Sequence, residues 1–315
     1  MTGILARLRL TPLVLAAALS LLIAPGGAVP ARAQAGERYA AILVDAKTGE
    51  VLFAHDADEV RYPASLTKVM TLYLLFEAMA EGRVQPEDRI RVSPRAASQP
   101  PSKLGLAAGQ TLSVDEAIRA LTVRSCNDIA VAVAEHLSGS VEAFAKRSTA
   151  RAAALGLTQT RFVNPHGLPD PEHVSSARDL LRLSRAVMRD FPQYYDYFGL
   201  REWAHEGRVL RNTNGLLHAY ADYDGLKTGF TRASGFNLAA SATRGDRRLI
   251  AVVLGGSTTQ ARNAHVADLI ATGFEVERLR AEGRLGGSSQ AAFEARGFGE
   301  ERTASDGPVP YALAR

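Results

Sequence analysis

Between Ser65 and Met79 apolar residues dominate, and Leu66, Val69, Met70, Leu72, Tyr73, Leu74, Leu75, Phe76, Ala78 and Met79 cover nearly the whole circumference of a helix. A helix that is apolar all round lies inside a core, and Pro63 just ahead of it marks the start. Upstream, Tyr39–Asp45 and Glu50–Ala54 are β-branched and aromatic runs separated by Ala-Lys-Thr-Gly, which predicts a hairpin turning at Gly49. Residues 82 to 113 carry Pro86, Pro94, Pro100, Pro101 and Gly109 and read as a loop-rich rim. Ser113-Val-Asp-Glu116 is a capping box opening a helix that should stop near Val123. Further helices are predicted over Asp128–Leu137, Val141–Leu155 and Ser176–Arg189.

From Tyr223 the period changes to that of strands. Asp224–Phe230, Phe236–Thr243 and Arg248–Leu254 read as three, the last two joined by Arg-Gly-Asp-Arg and therefore antiparallel. Ala261–Leu279 reads as an amphipathic helix. Strands at both ends with helices between them predict an α+β fold: one antiparallel sheet built from the N- and C-terminal parts, helices packed on it, and an inserted helical lobe. A cleft between sheet and lobe is the natural site.

Composition changes the picture at the two ends. Arg7 and Arg9 precede an apolar run from Leu10 to Ala24, and Ala31-Arg-Ala33 supplies a small-x-small cleavage pattern, so residues 1–33 read as a secretory signal cut near Gln34. Residues 34–281 are then the folded domain, and the Gly-, Ser-, Ala- and Arg-rich residues 282–315 a flexible tail. The formal charge of +4 loses Arg7, Arg9 and Arg32 and no acid with the signal, leaving 4 − 3 = +1. No Lys/Arg run remains that would track a phosphate backbone, so nucleic acid is excluded as a partner. Cys126 is the only cysteine, and no intrachain disulfide is possible.

Ser65 and Lys68 are three apart on one helical face, within reach of each other. Burial and the positive potential of a helix N-terminus both disfavour an ammonium, so the Lys68 amine is expected to accept a proton from the Ser65 hydroxyl. With 19 serines and 5 lysines, a Ser-x-x-Lys pair arises by chance roughly 0.3 times in such a chain, so the pair alone decides little. It is joined, in order, by Ser125-Cys-Asn127 at a corner between helices and by Lys227-Thr-Gly229 on a strand. A second Lys-Thr-Gly at Lys47–Gly49 falls in the hairpin turn and is set aside.

This trio resembles that of the penicillin-binding DD-peptidases and serine β-lactamases. Asn164-Pro-His-Gly-Leu168, His173–Asp179, Arg211–Leu216 and Gly235–Leu238 narrow the resemblance to the low-molecular-mass penicillin-binding proteins that are D-alanyl-D-alanine carboxypeptidases, serine peptidase family S11, over about residues 38 to 280. The resemblance implies a secreted enzyme of the periplasm or cell-wall space that removes the last D-alanine of peptidoglycan stem peptides. It implies Ser65 as nucleophile, Lys68 as base and Ser125 as proton relay. Substrate would be held by Asn127, Lys227, Thr228, Gly229, the backbone N–H of Phe230, and Arg262 for the terminal carboxylate. Gly229 would let a substrate backbone lie flat against the strand. No metal or cofactor is required, and β-lactams would acylate Ser65. Phe230 departs from relatives with histidine there, and the tail departs from those that continue into a β-rich domain and an amphipathic anchor, so membrane attachment of the mature chain is not implied. A serine β-lactamase, an endopeptidase on cross-linked stems and a non-catalytic wall-binding module are the rival readings. His166 and His173 read as loop-fixing hydrogen-bonders.

Overall fold

The computed structural model describes residues 38–299, so the expected signal over 1–33, its cleavage near Gln34, and residues 300–315 of the tail lie outside the described residues. β1 (Ala40–Asp45) and β2 (Val51–His55) form the hairpin that the apolar runs predict. A 3-10 turn, Ala64–Thr67, leads into α1 (Lys68–Ala80). The loop-rich segment contains β3 (Arg89–Arg91), α2 (Pro94–Ala97) and β4 (Thr111–Ser113), with β3 and β4 paired antiparallel. The lobe continues as α3 (Val114–Arg119), α4 (Asn127–Ser138), α5 (Val141–Ala154) and α6 (Ala177–Asp190). A 3-10 helix (Pro192–Gly199), the hairpin β5 (Glu202–His205) and β6 (Arg208–Arg211), and α7 (Leu216–Ala219) return the chain to the sheet. β7 (Tyr223–Thr231), β8 (Gly235–Arg244), β9 (Arg247–Gly256), α8 (Thr259–Ala281) and α9 (Ser289–Glu294) complete it.

The main sheet has the order β2-β1-β9-β8-β7, all antiparallel, and so takes two strands from the start of the chain and three from the end, as the pattern predicts. Because side chains alternate across a strand, β1 feeds both faces. Ala40, Ile42 and Val44 join the core shared with the lobe, whereas Ala41 and Leu43 join the core under α8. Burial on both faces explains why β1 reads as a continuous apolar run. α1 runs through the centre of the lobe with every residue buried except Ala80. Phe76 is ringed by Phe191, Tyr194, Tyr197 and Phe198 of the segment after α6. The capping box of α3 is present in both directions, Ser113 Oγ accepting from Glu116 N and Glu116 Oε2 from Ser113 N. Among the described residues no helix is long and apolar enough to cross a membrane.

The helix expected to stop near Val123 ends at Arg124, its last turn, Ala120–Arg124, being π-helical and leading to Ser125. One expectation is corrected. The expected flexible tail starts too early: α9 packs on β2, with Phe293 and Phe298 buried against Phe53. The Gln290 side-chain amide accepts from Ala54 N at 3.0 Å and donates to Ala54 O at 3.3 Å. One six-residue turn held by two aromatic anchors leaves too little periodicity to stand out from its Gly- and Ser-rich surroundings. Phe293→Ala should therefore destabilise the protein by about 3 kcal/mol and expose residues 283–299 to protease, which a urea melt and limited proteolysis with mass analysis will show.

Candidate active site

The turn that presents Ser65 is forced by its neighbours. Ala64 adopts φ 49°, and the chain winds through a 3-10 turn before the regular helix begins at Lys68, three residues later than the sequence predicts. β7 lies against this turn so closely that a Cβ at Gly229 would sit 2.9 Å from Ser65 N and 3.1 Å from Pro63 O. Gly229 is thus needed for chain-to-chain contact beside the serine, a reason for the glycine that the sequence reading did not give. From the other side His173 Nε2 meets Thr67 Oγ1 at 2.7 Å, and Thr71 Oγ1 donates to Pro165 O at 2.6 Å. His173 Nδ1 accepts from Val163 N at 3.0 Å, so Nε2 carries the proton. Burial pulls His166 down to about 3 and His173 to about 4, and both are neutral supports of this loop, in the role the sequence reading gives them.

Lys68 is fully buried, and its Nζ meets three oxygens: Asn127 Oδ1 at 2.8 Å, His166 O at 2.9 Å and Ser65 Oγ at 3.0 Å. Burial first, and the charge of Lys227 second, hold its ammonium well below the usual lysine range. A neutral amine has two N–H bonds and one lone pair. Asn127 Oδ1 and the His166 carbonyl can only accept, so they claim the two hydrogens, and the lone pair is left for the Ser65 hydroxyl proton. The contact through the His166 main chain has no signal in the sequence beyond the segment Asn164–Leu168 that contains it.

The corner predicted to hold Ser125 and Asn127 is built as follows. The π-helical turn ends with Ser125 at φ 60°, ψ 38°, Cys126 is extended, and α4 starts at Asn127. Ser125 Oγ is buried and has no hydrogen-bond partner among the described residues. A buried hydroxyl in that condition is costly unless a ligand or water completes it. Asn127 Nδ2 donates to Pro100 O at 3.0 Å, and Asn127 N to Ser102 O at 2.7 Å. Asp128 accepts from Leu104 N at 3.1 Å and Gly105 N at 2.9 Å, so the first residues of α4 also fasten the loop 100–105.

Lys227 and Arg262 form the remaining part. Lys227 is buried, and its Nζ donates to Thr228 O at 2.9 Å; Thr228 Oγ1 pairs with Thr213 Oγ1 at 2.7 Å. Arg262, on the first turn of α8, donates from Nη1 to Asn237 O and from Nε to Asn263 Oδ1. Among the described residues neither cation has a carboxylate within ion-pair distance. Burial pulls Lys227 down to about 7, with Arg262 adding to the effect, and pulls Arg262 down to about 10. Two neighbouring buried cations without a counter-ion make a site for an anion. Phe230 is 52% exposed and stacks on Phe236 with ring centroids 4.2 Å apart. The structure thus links Ser65, Lys68 and Asn127 by direct bonds, with Ser125 adjoining and Lys227 near enough to act on Lys68. The other Lys-Thr-Gly is a turn, with Thr48 N and Oγ1 on Asp45 Oδ1. Cavities of about 480 and 760 Å³ lie elsewhere and include none of these residues.

The family described as D-alanyl-D-alanine carboxypeptidase matches residues 29–258. The D-alanyl-D-alanine carboxypeptidase DacF of Bacillus subtilis is 38% identical over 245 residues, 76% of this chain and 63% of its own. This chain therefore spans under two thirds of that relative's length. Penicillin binding protein 5 from Haemophilus influenzae superposes with a TM-score of 0.73 at 36% identity, over 75% of this chain and 70% of its own. Penicillin-Binding Protein D2 from Listeria monocytogenes, solved in a cefotaxime-bound form, gives 0.68 at 30% identity over 75% of this chain and 96% of its own.

A lysine that is pulled down on folding releases its proton more readily in the folded state, so it weakens folding below its unfolded value and stops doing so as pH rises through that value. For Lys227 the window runs from about 7 to the ordinary lysine value of 10.5. Lys227→Met should accordingly remove about 1.4 kcal/mol per pH unit from the rise in stability between pH 8 and 10, measured by urea melts across that range.

Proposed function

From a chain that belongs to the D-alanyl-D-alanine carboxypeptidase family, we propose a serine DD-carboxypeptidase that cleaves the terminal D-alanine from peptidoglycan stem peptides. The observation that carries this reading is the buried Lys68 amine bonded to Ser65 Oγ beside two buried cations without a counter-ion. In the first half-reaction Ser65 Oγ attacks the carbonyl of the D-Ala-D-Ala bond while Lys68 Nζ takes the hydroxyl proton. The oxyanion falls to the backbone N–H groups of Ser65 and Phe230. The C–N bond then breaks, and Ser125 passes a proton to the departing amine. Lys227, Thr228 and Arg262 hold the terminal carboxylate, and Asn127 the substrate amide. Water next attacks the ester, giving the shortened peptide and free Ser65. No metal or cofactor enters any step.

A β-lactam places a strained amide beside a carboxylate and would form the same ester with Ser65. Slow release is favoured over β-lactamase turnover, because the one glutamate of the segment 156–180, Glu172, is exposed and paired with Arg161 at 3.2 Å rather than set to activate water. Residues 1–33 direct export, the catalytic domain runs from Gln34 through α9, and the wall-facing space is the place of action.

Ser65→Ala and Lys68→Ala should each reduce D-alanine release from a monomeric pentapeptide by about 10³-fold or more. The wild-type rate should fall as pH drops and Lys68 takes up its proton. Mass analysis of products from the pentapeptide and from cross-linked dimers checks both and separates carboxypeptidase from endopeptidase. A penicillin adduct that clears within seconds would favour the β-lactamase instead.

A further inference from the structure

We propose that Asn237 is a positioning residue that ties recognition of a substrate carboxylate at Arg262 to the alignment of the Ser65 turn; this rests on the acyl-transfer reading above. The pairing of β8 with β9 runs Phe236 opposite Gly256 and then Leu238 opposite Val253, so Leu254 and Gly255 together face Asn237 alone. This is a β-bulge, a device that re-aims the side chain and carbonyl across from it. Gly255 makes it possible with φ 81°, and a Cβ there would lie 2.0 Å from the Arg38 carbonyl oxygen.

The bulge makes Asn237 the meeting point of four elements. Its side chain is fully buried. Nδ2 donates to Tyr62 O at 2.9 Å and Pro63 O at 3.1 Å, the two carbonyls immediately before the Ser65 turn. Oδ1 accepts from Gly255 N at 3.0 Å, which locks the bulge itself. On β7 its partner is Gly229, the residue that touches Ser65 N. Its main-chain carbonyl accepts from Arg262 Nη1. Arg262 has further N–H donors for an anion, and a carboxylate on them fixes the guanidinium. That restrains the Asn237 peptide, and through its amide the carbonyls that set where Ser65 Oγ points. Displacement of a reacting atom by about 1 Å is worth on the order of 10² in rate, so the coupling has room to act.

The test measures acylation of Ser65 by a β-lactam with a free carboxylate and by the same lactam with that carboxylate esterified, separating the saturating rate from the half-saturating concentration. In the wild type, esterification should slow the saturating rate about tenfold as well as weaken binding. In Asn237→Ala both lactams should acylate at one common, slower saturating rate, leaving only the difference in binding. Asn237→Asp keeps the acceptor for Gly255 N but turns lone pairs toward Tyr62 O and Pro63 O, and should match the alanine variant in rate. A wild type in which the ester changes only the half-saturating concentration overturns the proposal, whether or not the variants fold. So does an alanine variant that slows both lactams by the same factor, which is the signature of a merely structural role. A wild type that forms no adduct with the free acid overturns the acyl-transfer reading itself.

Discussion

The whole site depends on withholding water from one amine. Lys68 sits where a helix leaves a core, and its burial is imposed by the apolar residues that surround it along α1 rather than by any polar group it meets. Desolvation of an ammonium is large compared with the few hydrogen bonds available to offset it. The neutral form prevails, and the acceptors around it decide the direction of its lone pair. Asn127 Oδ1 and His166 O are both incapable of donating, so the third position can only be filled by a donor, and Ser65 fills it. The same low polarity pulls Lys227 and Arg262 down as well, and among the described residues neither has a carboxylate partner, so an arriving anion relieves their shared repulsion.

Much of this was legible in the residues. The all-apolar stretch after Ser65 shows that its helix is central, and the change from a period of 3.6 to a period of 2 near Tyr223 divides lobe from sheet. Chemistry placed at helix starts and on strands follows from that division, which is why Ser65, Lys68, Asn127 and Lys227 could be assigned from spacing and order. What escaped is held by the main chain. The His166 carbonyl, the Pro100 carbonyl under Asn127 and the bulge at Gly255 involve groups that every residue possesses, so no residue type announces them. The packing of Gly229 on the Ser65 turn escaped for a related reason: a glycine shows that something comes close but not what, and here the chain itself does.

The two serines share a further property. Ser125 is in the left-handed region, and Ala64, just before Ser65, is also at positive φ. Neither position is filled by glycine, so each holds a conformation of order 1 kcal/mol above the relaxed one. The tertiary contacts on both sides, from Asn237, Gly229 and the start of α4, are dense enough to maintain it. Both hydroxyls are therefore presented on rigid corners, each fixed from more than one element.

Gln290 carries a different kind of consequence. β2 is one of the two margins of the main sheet, and a bare margin can recruit a strand from another molecule and begin a polymer. By giving Ala54 both a donor and an acceptor, the Gln290 amide imitates one rung of a neighbouring strand and stops the ladder there. The short helix beyond α8 thus closes one margin of the main sheet at Ala54 as well as contributing to folding.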